Sequence, residues 1–238
     1  MNNLKYLVTG ATKGIGLAIS QRLAQKGHSV IGLARDIKNV DFPGKLFSCD
    51  LLDLEQTTQT LSKISNEHEI YGIVNNAGVA MPQSLESLDL DSFYKVIDLN
   101  VRTAILVTKA FIEPMKERRA GSIVNIASRA IYGSRERTSY SAAKSALVGC
   151  TRTWALEFAP FNINVNAVAP GPVETALFRQ SRPIGSDAER KILASIPMAR
   201  LGETNEIASA SVFFLEPENR YVTGQILSVD GGASLAGR

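Results

Sequence analysis

The strongest constraint on the fold is the alternation of short apolar runs with longer amphipathic segments along all 238 residues. The apolar runs predict strands over residues 4–8, 29–33, 46–48, 70–74, 122–126, 163–168 and 225–229. Helical spacing of apolar residues predicts helices over residues 14–26, 53–66, 91–119 and 139–158, the third bent near Pro114. Apolar strands separated by helices are typical of a parallel sheet covered on both faces. The pattern therefore predicts an α/β fold.

Composition excludes several other classes of protein. Apolar residues make up 45% of the chain and charged residues 21%, which is ordinary globular usage and excludes disordered and fibrous proteins. A net charge of +3 leaves no evident footprint for nucleic acid. Two cysteines and two histidines predict neither a disulfide framework nor a zinc site. Because no apolar run reaches the roughly 18–20 residues of a membrane span and no signal peptide is evident, we expect a cytoplasmic protein.

A glycine-rich turn follows the first predicted strand, with Gly10, Gly14 and Gly16 in the spacing G-x-x-x-G-x-G. Glycines permit the backbone angles of a strand that turns sharply into a helix, and they let a phosphate approach closely. A plain glycine-rich turn is the alternative, but the position between a strand and a helix favours a dinucleotide site. The residues expected at the pyrophosphate are Gly10, Thr12, Lys13, Gly14, Ile15 and Gly16.

The end of the second predicted strand indicates which nicotinamide dinucleotide would bind. An acidic residue there would accept from the ribose 2′-hydroxyl of NAD, whereas an arginine would pair with the 2′-phosphate of NADP. The chain has Arg35 at this point, and Lys13 in the glycine-rich turn offers a second cation. These charges predict NADP(H); the alternative is a surface ion pair between Arg35 and Asp36.

Four polar residues are candidates for the chemistry. Tyr140 and Lys144 have i, i+4 spacing, which places both side chains on one face of a predicted helix. The ammonium would lower the pKa of Tyr140, which could then donate a proton to a carbonyl oxygen as hydride reaches the carbon. Ser128, at the end of a predicted strand, could hydrogen-bond the same oxygen. Asn100 is a mediocre helix former in mid-helix, which indicates a bound water, a distorted helix or a harmless polar position.

In combination, these residues resemble the short-chain dehydrogenase/reductase family. The motifs are Thr9-Gly10-x-x-x-Gly14-x-Gly16, Asn75-Asn76-Ala77-Gly78, Asn100, Ser128, Tyr140-x-x-x-Lys144 and Pro170-Gly171, and the match continues to Asp230-Gly231-Gly232. The resemblance implies one Rossmann-like domain over residues 1–238 with a seven-stranded parallel sheet. One departure is that Ser128 precedes Tyr140 by twelve residues, where many relatives have thirteen.

The resemblance also implies the roles of the site residues. Tyr140 would be the acid–base, Ser128 would orient the carbonyl, and Asn100 would hold a water that relays protons to Lys144. Lys144 would also hold the nicotinamide ribose. The implied further cofactor contacts are Asp50, Leu51, Asn76, Ala77, Gly78, Pro170, Gly171, Val173 and Thr175. The irregular stretch over residues 173–197 is interpreted as a substrate lid.

Within the family, the chain is most similar to 3-oxoacyl-[acyl-carrier-protein] reductases. The similarity lies in sequence segments such as residues 198–203 and 222–225. The resemblance implies NADPH-dependent reduction of a 3-oxoacyl thioester. Arg119 occupies one position where those enzymes often carry a basic residue for docking the carrier protein, but Phe161 stands at the other. The alternatives are an oxidoreductase of a small sugar, steroid or secondary alcohol, and a nucleotide-binding regulator without catalysis.

Two further expectations concern binding surfaces. Five arginines could bind an anionic small substrate or be solvated: Arg129, Arg135, Arg137, Arg179 and Arg182. The family resemblance implies a homotetramer in which the helices over residues 91–119 and 139–158 pack across two-fold axes. The small residues Ala142, Ala143, Ala146 and Gly149 would permit that approach, or would pack against the sheet of their own chain.

Overall fold

The computed structural model describes residues 3–236, and these residues build one parallel sheet of seven strands. The strands are β1 Lys5–Thr9, β2 Ser29–Ala34, β3 Lys45–Ser48, β4 Gly72–Asn75, β5 Gly121–Ile126, β6 Ile163–Pro170 and β7 Ile226–Val229. Their order is β3-β2-β1-β4-β5-β6-β7, and each neighbouring pair is parallel. The predicted α/β class and the seven-stranded Rossmann-like sheet are therefore confirmed.

Helices cover both faces of this sheet. They are α1 Gly14–Gln25, α2 Leu54–Glu67, α3 Leu90–Ile97, α4 Thr103–Glu117, α5 Thr138–Phe158, α6 Ala176–Ser181, α7 Asp187–Ala194 and α8 Thr204–Leu215. Successive residues of β1 point to opposite faces. Tyr6 and Val8 therefore pack with α1 and α8, while Leu7 packs in a second cluster with α2, α4 and α5. None of the helices formed by residues 3–236 combines the length and apolarity that a membrane crossing requires.

The predicted helix over residues 91–119 is interrupted, and the interruption lies at residues 98–102 and not at Pro114. A π-helical turn, Asp98–Arg102, separates α3 from α4, whereas α4 runs through Pro114 to its end at Glu117. Asn100 lies in this turn, and its Nδ2 donates to the Val96 carbonyl at 2.8 Å. The side chain thus takes up a backbone acceptor of the preceding turn, which accompanies the change in helical pitch.

Two segments are more regular than the sequence predicts. Residues 173–197 contain α6 and α7, whose first turns are capped by the side chains of Thr175 and Ser186. α8 was not predicted, although it packs against α1 and buries Ile207, Val212 and Leu215. The carboxyl ends of the parallel strands lie at one edge of the sheet, and this holds for β1, β4, β5 and β6. Residues 173–197 follow β6 and therefore begin at the same edge.

Candidate active site

The strand order reverses between β1 and β4, and such a reversal leaves a crevice at the carboxyl ends of the strands. The sequence-predicted residues follow these ends: Gly10 comes after β1, Asn76 after β4, Ser128 after β5 and Gly171 after β6. The topology therefore gathers residues from distant parts of the chain at one edge of the sheet.

The glycine-rich turn is compact enough to require its glycines. Gly10 and Gly14 have φ angles of +64° and +54°, which side chains other than glycine adopt rarely. A Cβ on Gly16 would lie 2.3 Å from the Gly10 carbonyl oxygen and 2.6 Å from Asn76 Nδ2. Thr12 and Ile15 are half-buried in the same turn, and Lys13 is exposed.

The start of α1 is suited to an anion. Lys13 is its N-cap residue, without a side-chain capping bond, and the first turn has no acidic residue. The free backbone N–H groups and the positive end of the helix dipole therefore have no competing carboxylate in this turn. With the close glycine packing, this start fits a dinucleotide pyrophosphate.

Thr9 ties the glycine-rich turn to the loop after β4, and sequence reasoning gave it no role of its own. Its Oγ1 accepts from the backbone N–H groups of Asn76 at 3.0 Å and Ala77 at 2.9 Å. In return, Asn76 Nδ2 donates to the carbonyls of Thr9 at 2.9 Å and Gly10 at 3.2 Å. These bonds place Asn76 as a support of the turn, and the threonine before the first glycine was the signal for it.

The end of β2 carries Arg35, one of the two cations expected at the adenosine ribose. Arg35 is exposed, and among the described residues no ion pair joins it to Asp36, whose Oδ1 accepts from Lys38 N at 3.0 Å. The alternative of a surface pair is therefore not what the structure contains. Asp50 Oδ1 accepts from Leu52 N at 3.0 Å, and the neighbouring Leu51 is buried.

Lys144 is the most deeply buried charged group of the site. Its side chain is on α5, the residue is 3% exposed, and its Nζ donates to the Ile126 carbonyl at 2.7 Å. Burial lowers its pKa from 10.5 to about 7, because the ammonium loses hydration without gaining a carboxylate. The lysine ammonium has three N–H donors, and among the described residues the Ile126 carbonyl is the one acceptor that they contact. The remaining donors can therefore bind another oxygen.

Asn100 and Lys144 face a common space. Asn100 Nδ2 donates to the Val79 carbonyl at 2.9 Å, while its Oδ1 is buried without a hydrogen-bond partner. A Cβ on Gly78 would lie 2.3 Å from this Oδ1 and 3.4 Å from Lys144 Nζ. The space that the missing side chain of Gly78 leaves is thus bordered by an unused acceptor, Asn100 Oδ1, and by the unused donors of Lys144 Nζ. A hydroxyl or a water fits this combination.

The structure brings Tyr140 and Ser128 together. The Tyr140 ring centre lies 5.6 Å from Lys144 Nζ and 6.0 Å from the guanidinium carbon of Arg137. Burial around the phenol raises the pKa of Tyr140, and hydrogen bonding to Ser128 and the charge of Arg137 lower it by less. The i, i+4 spacing predicted that Lys144 would lower this pKa. In the structure the net direction is upward, and the charge that opposes burial is that of Arg137.

The segment after β6 closes the other side of the crevice. A Cβ on Gly171 would lie 2.7 Å from the Cβ of Asp230, so the chain crosses the end of β7 closely after Pro170. Val173 is buried and pairs with Gly202 in an isolated bridge. Thr175 caps α6, and its Cγ2 would be 3.6 Å from a Cβ on Gly14. Of the predicted contacts around residues 170–175, Thr175 therefore lies against the glycine-rich turn.

A buried amide network supports the centre of the site, and sequence reasoning missed it. Asn75 Nδ2 donates to Thr108 Oγ1 at 3.2 Å and to Asn125 Oδ1 at 2.9 Å. Asn125 Nδ2 donates in turn to Thr151 Oγ1 at 2.9 Å. The network joins β4 and β5 to α4 and α5, which carry or adjoin Asn100 and Lys144. Paired Asn residues at the same register of neighbouring strands were the available signal.

Comparison with known proteins gives consistent matches over the whole site. A family model described as Enoyl-(Acyl carrier protein) reductase matches residues 10–234. The 3-oxoacyl-[acyl-carrier-protein] reductase FabG of Thermotoga maritima is 35% identical over 238 residues, covering 95% of this chain and 96% of that protein. The ligand-free aldohexose dehydrogenase of Thermoplasma acidophilum superposes with a TM-score of 0.91 at 32% identity, covering 99% of this chain and 96% of that chain.

A solved structure with a bound dinucleotide is also similar. ElxO with NADP bound superposes with a TM-score of 0.90 at 28% identity, covering 98% of this chain and 99% of that chain. The family model, the full-length relatives and the arrangement of Gly10, Ser128, Tyr140 and Lys144 at one sheet edge all agree. The chain belongs to the short-chain dehydrogenase/reductase family of oxidoreductases.

Proposed function

We propose that the protein is an NADPH-dependent carbonyl reductase in which Tyr140 is the general acid. The observation that supports this most directly is the Tyr140 phenol beside Ser128, with a pKa that burial holds above its ordinary value. Such a phenol stays protonated at neutral pH and can give its proton to an oxygen that becomes negative. A group in that state suits reduction of a carbonyl.

Each nearby residue has a defined part in this proposal. When bound, NADPH would supply the hydride for the carbonyl carbon. Ser128 Oγ donates to the carbonyl oxygen and holds it beside the Tyr140 hydroxyl, which transfers its proton to that oxygen. Lys144 Nζ, with donors left over after its bond to the Ile126 carbonyl, holds ribose hydroxyls and a water that Asn100 Oδ1 orients. That water can return a proton toward Tyr140.

The preference for NADP(H) rests on charge. Arg35 and Lys13 are both exposed at the start of the crevice and have no carboxylate partner among residues 3–236. A 2′-phosphate dianion would accept from Arg35 in two hydrogen bonds and gain the charge of Lys13. The NADP bound to the similar ElxO supports the same choice.

Two substrate classes fit carbonyl reduction. The FabG relatives support a 3-oxoacyl thioester delivered by an acidic acyl carrier protein. Against docking of a carrier protein, the Arg119 guanidinium is held by the Pro160 carbonyl, and Phe161 packs into the core. That observation favours the second class, a small sugar, steroid or secondary alcohol or its carbonyl form, and the similar aldohexose dehydrogenase, which is named for a small sugar, supports it.

The proposal is tested with Tyr140→Phe, which removes only the proton donor. NADPH oxidation is measured with acetoacetyl-coenzyme A, acetoacetyl-acyl carrier protein, small ketones and aldohexoses, and NADPH binding is measured by fluorescence. Turnover should fall by at least about a thousandfold, within the range for a lost general acid in a preorganised site, while the Kd of NADPH stays within about twofold. Tyr94→Phe, at an exposed tyrosine on α3, is the matched control.

Near-normal turnover in Tyr140→Phe would refute the assignment of the general acid. NADPH binding without reduction of any carbonyl in the panel would instead favour the nucleotide-binding regulator. A strong preference for the carrier-bound thioester would select the first substrate class in spite of Phe161.

A further inference from the structure

We propose that Arg137 and Arg182 form a binding site for an anionic group of the substrate, so that the carbonyl compound reduced at Tyr140 is a small oxo acid. This inference rests on the proposed carbonyl reduction and narrows its substrate. The two arginines come from different segments, the loop before α5 and the end of α6; Arg137 lies beside the Tyr140 ring, and the charge of Arg182 acts on Arg137.

Arg137 is held rigidly next to the phenol. Its guanidinium carbon is 6.0 Å from the centre of the Tyr140 ring. Its backbone pairs with Gln83 in an isolated bridge, in which Gln83 N donates to the Glu136 carbonyl at 2.9 Å. Gln83 Nε2 in turn donates to Asp89 Oδ2 at 2.6 Å. The loop that carries Arg137 is therefore fixed to the N-terminus of α3.

Arg182 is placed by a network of ion pairs in residues 173–197. Arg179 pairs with both Glu174 and Glu189, and it also donates to the Arg182 carbonyl at 3.3 Å. The Arg182 guanidinium stacks on Phe178, at 5.1 Å from the ring centre, and donates to Ser181 Oγ at 2.8 Å. Both side-chain contacts leave other donors of the guanidinium unused.

The like charges of the two guanidinium groups act against each other. Burial is the larger cause of the lowered pKa of Arg137, and the charge of Arg182 is the next. Glu136 and Tyr140 act in the opposite direction by less, and the Glu136 side chain is exposed and forms no ion pair with Arg137. Two like charges at a partly buried position are unfavourable unless an anion lies between them.

Two other arginines of the chain, Arg118 and Arg179, have the hydrogen-bond acceptors and carboxylate partners that Arg137 lacks in the described part of the chain. Arg118 is also half-buried, but it donates to the carbonyls of Ile70 and Ala120 and faces Glu69. Arg179 has two glutamates. Within residues 3–236, Arg137 has no side-chain hydrogen bond and neither Arg137 nor Arg182 has a carboxylate partner. Of the five arginines considered from the sequence, Arg137 remains available beside the Tyr140 ring, and Arg182 is the arginine whose charge acts on it.

A carboxylate fits these observations best. Its two oxygens match the paired donors of one guanidinium, and its charge removes the repulsion between two. Because Arg137 is beside the Tyr140 ring, the carboxylate must be only a few bonds from the carbonyl. The thioester of an acyl carrier or coenzyme A substrate is uncharged at that place, so the arginine pair favours free oxo acids.

The experiment compares acids with their uncharged methyl esters. Rates of NADPH oxidation are measured for 2-oxobutanoate, acetoacetate and levulinate and for the three esters, so that the position of the carboxylate varies. We expect at least one acid to exceed its ester in kcat/KM by about ten- to hundredfold, the range of a charged hydrogen-bonded pair. Arg182→Gln should remove that preference by raising the KM of the acid. The kcat/KM of the ester should stay within about threefold of the wild-type value. Arg135→Gln is the control, because Arg135 is exposed in the loop that also carries Arg137.

The outcomes separate this inference from the proposed function. Equal rates for acid and ester in the wild type, or equal losses for both in Arg182→Gln, overturn the anion site while Tyr140-dependent reduction stands. If no compound is reduced, calorimetry of malonate with the protein–NADP⁺ complex decides. Binding by the wild type that weakens at least tenfold in Arg182→Gln and Arg137→Gln supports the site. Absence of such binding overturns it.

Discussion

The burial of Lys144 should make the free protein less stable, and replacing this lysine should show by how much. The residue is 3% exposed, and its pKa falls from 10.5 to about 7. A shift of that size corresponds to about 5 kcal/mol of unfavourable charging in the native state. Lys144→Met keeps the apolar stem and removes the charge, but leaves the Ile126 carbonyl without its donor, which costs about 1–3 kcal/mol.

The net effect depends on pH in a direction that can be derived. Between pH 7 and 10.5 the unfolded chain carries the Lys144 proton and the native chain does not, so native stability rises with pH across this window. At pH 6 the penalty is fully present, and Lys144→Met should be more stable than the wild type by about 2–4 kcal/mol. From pH 7 to pH 9 the wild type should recover about 2 kcal/mol of this difference.

The assay is urea unfolding of the cofactor-free protein at pH 6, 7, 8 and 9, at one protomer concentration. Lys109→Met, at an exposed lysine on α4, is the matched control and should show no such trend. A difference between Lys144→Met and wild type that stays constant from pH 6 to pH 9 would refute the reasoning. The variant should also be inactive, which would make Lys144 a residue whose function opposes stability.

Three other substitutions test the remaining parts of the site and the assembly. Arg35→Asp should lower the ratio of kcat/KM for NADPH to that for NADH by at least about tenfold, and an unchanged ratio would contradict the 2′-phosphate contact. Gly16→Ala should destabilise the chain by about 1–3 kcal/mol and weaken NADPH binding, because its Cβ meets the Gly10 carbonyl at 2.3 Å, whereas Gly149→Ala meets nothing within 4 Å. Leu156→Arg, at a leucine 80% exposed on α5, should dissociate the proposed tetramer in light scattering, and an unchanged mass would contradict that interface.

The sheet could be predicted from the sequence because its strands are buried on both faces and therefore read as continuous apolar runs. β5 and β6 are buried at every position, and their predicted limits differ from the observed ones by at most two residues at each end. α8 was missed because Thr204–Leu215 mixes small, β-branched and aromatic residues, which weakens the helical period. Its start is fixed instead by the capping box of Glu203 and Glu206.

The candidate site could be predicted as a set of residues but not as a set of contacts. The i, i+4 spacing placed Tyr140 and Lys144 on one helix face, and the resemblance added Asn100 and Ser128. The room between Asn100 and Lys144 depends on a π-helical turn and on Gly78, which come from separate parts of the chain. A long-range juxtaposition of this kind has no local periodic signal.

The arginines of the site are a second case in which the contacts of a residue could not be predicted from the sequence. In the sequence Arg137 and Arg179 are equivalent cations, and only their partners in the fold distinguish them. Arg137 is the charge that lowers the pKa of Tyr140 against burial. A carboxylate bound to Arg137 would cancel that influence and raise the pKa of the phenol further. The anionic substrate that we propose would therefore keep Tyr140 protonated when its carbonyl is in place, which is the state that reduction requires.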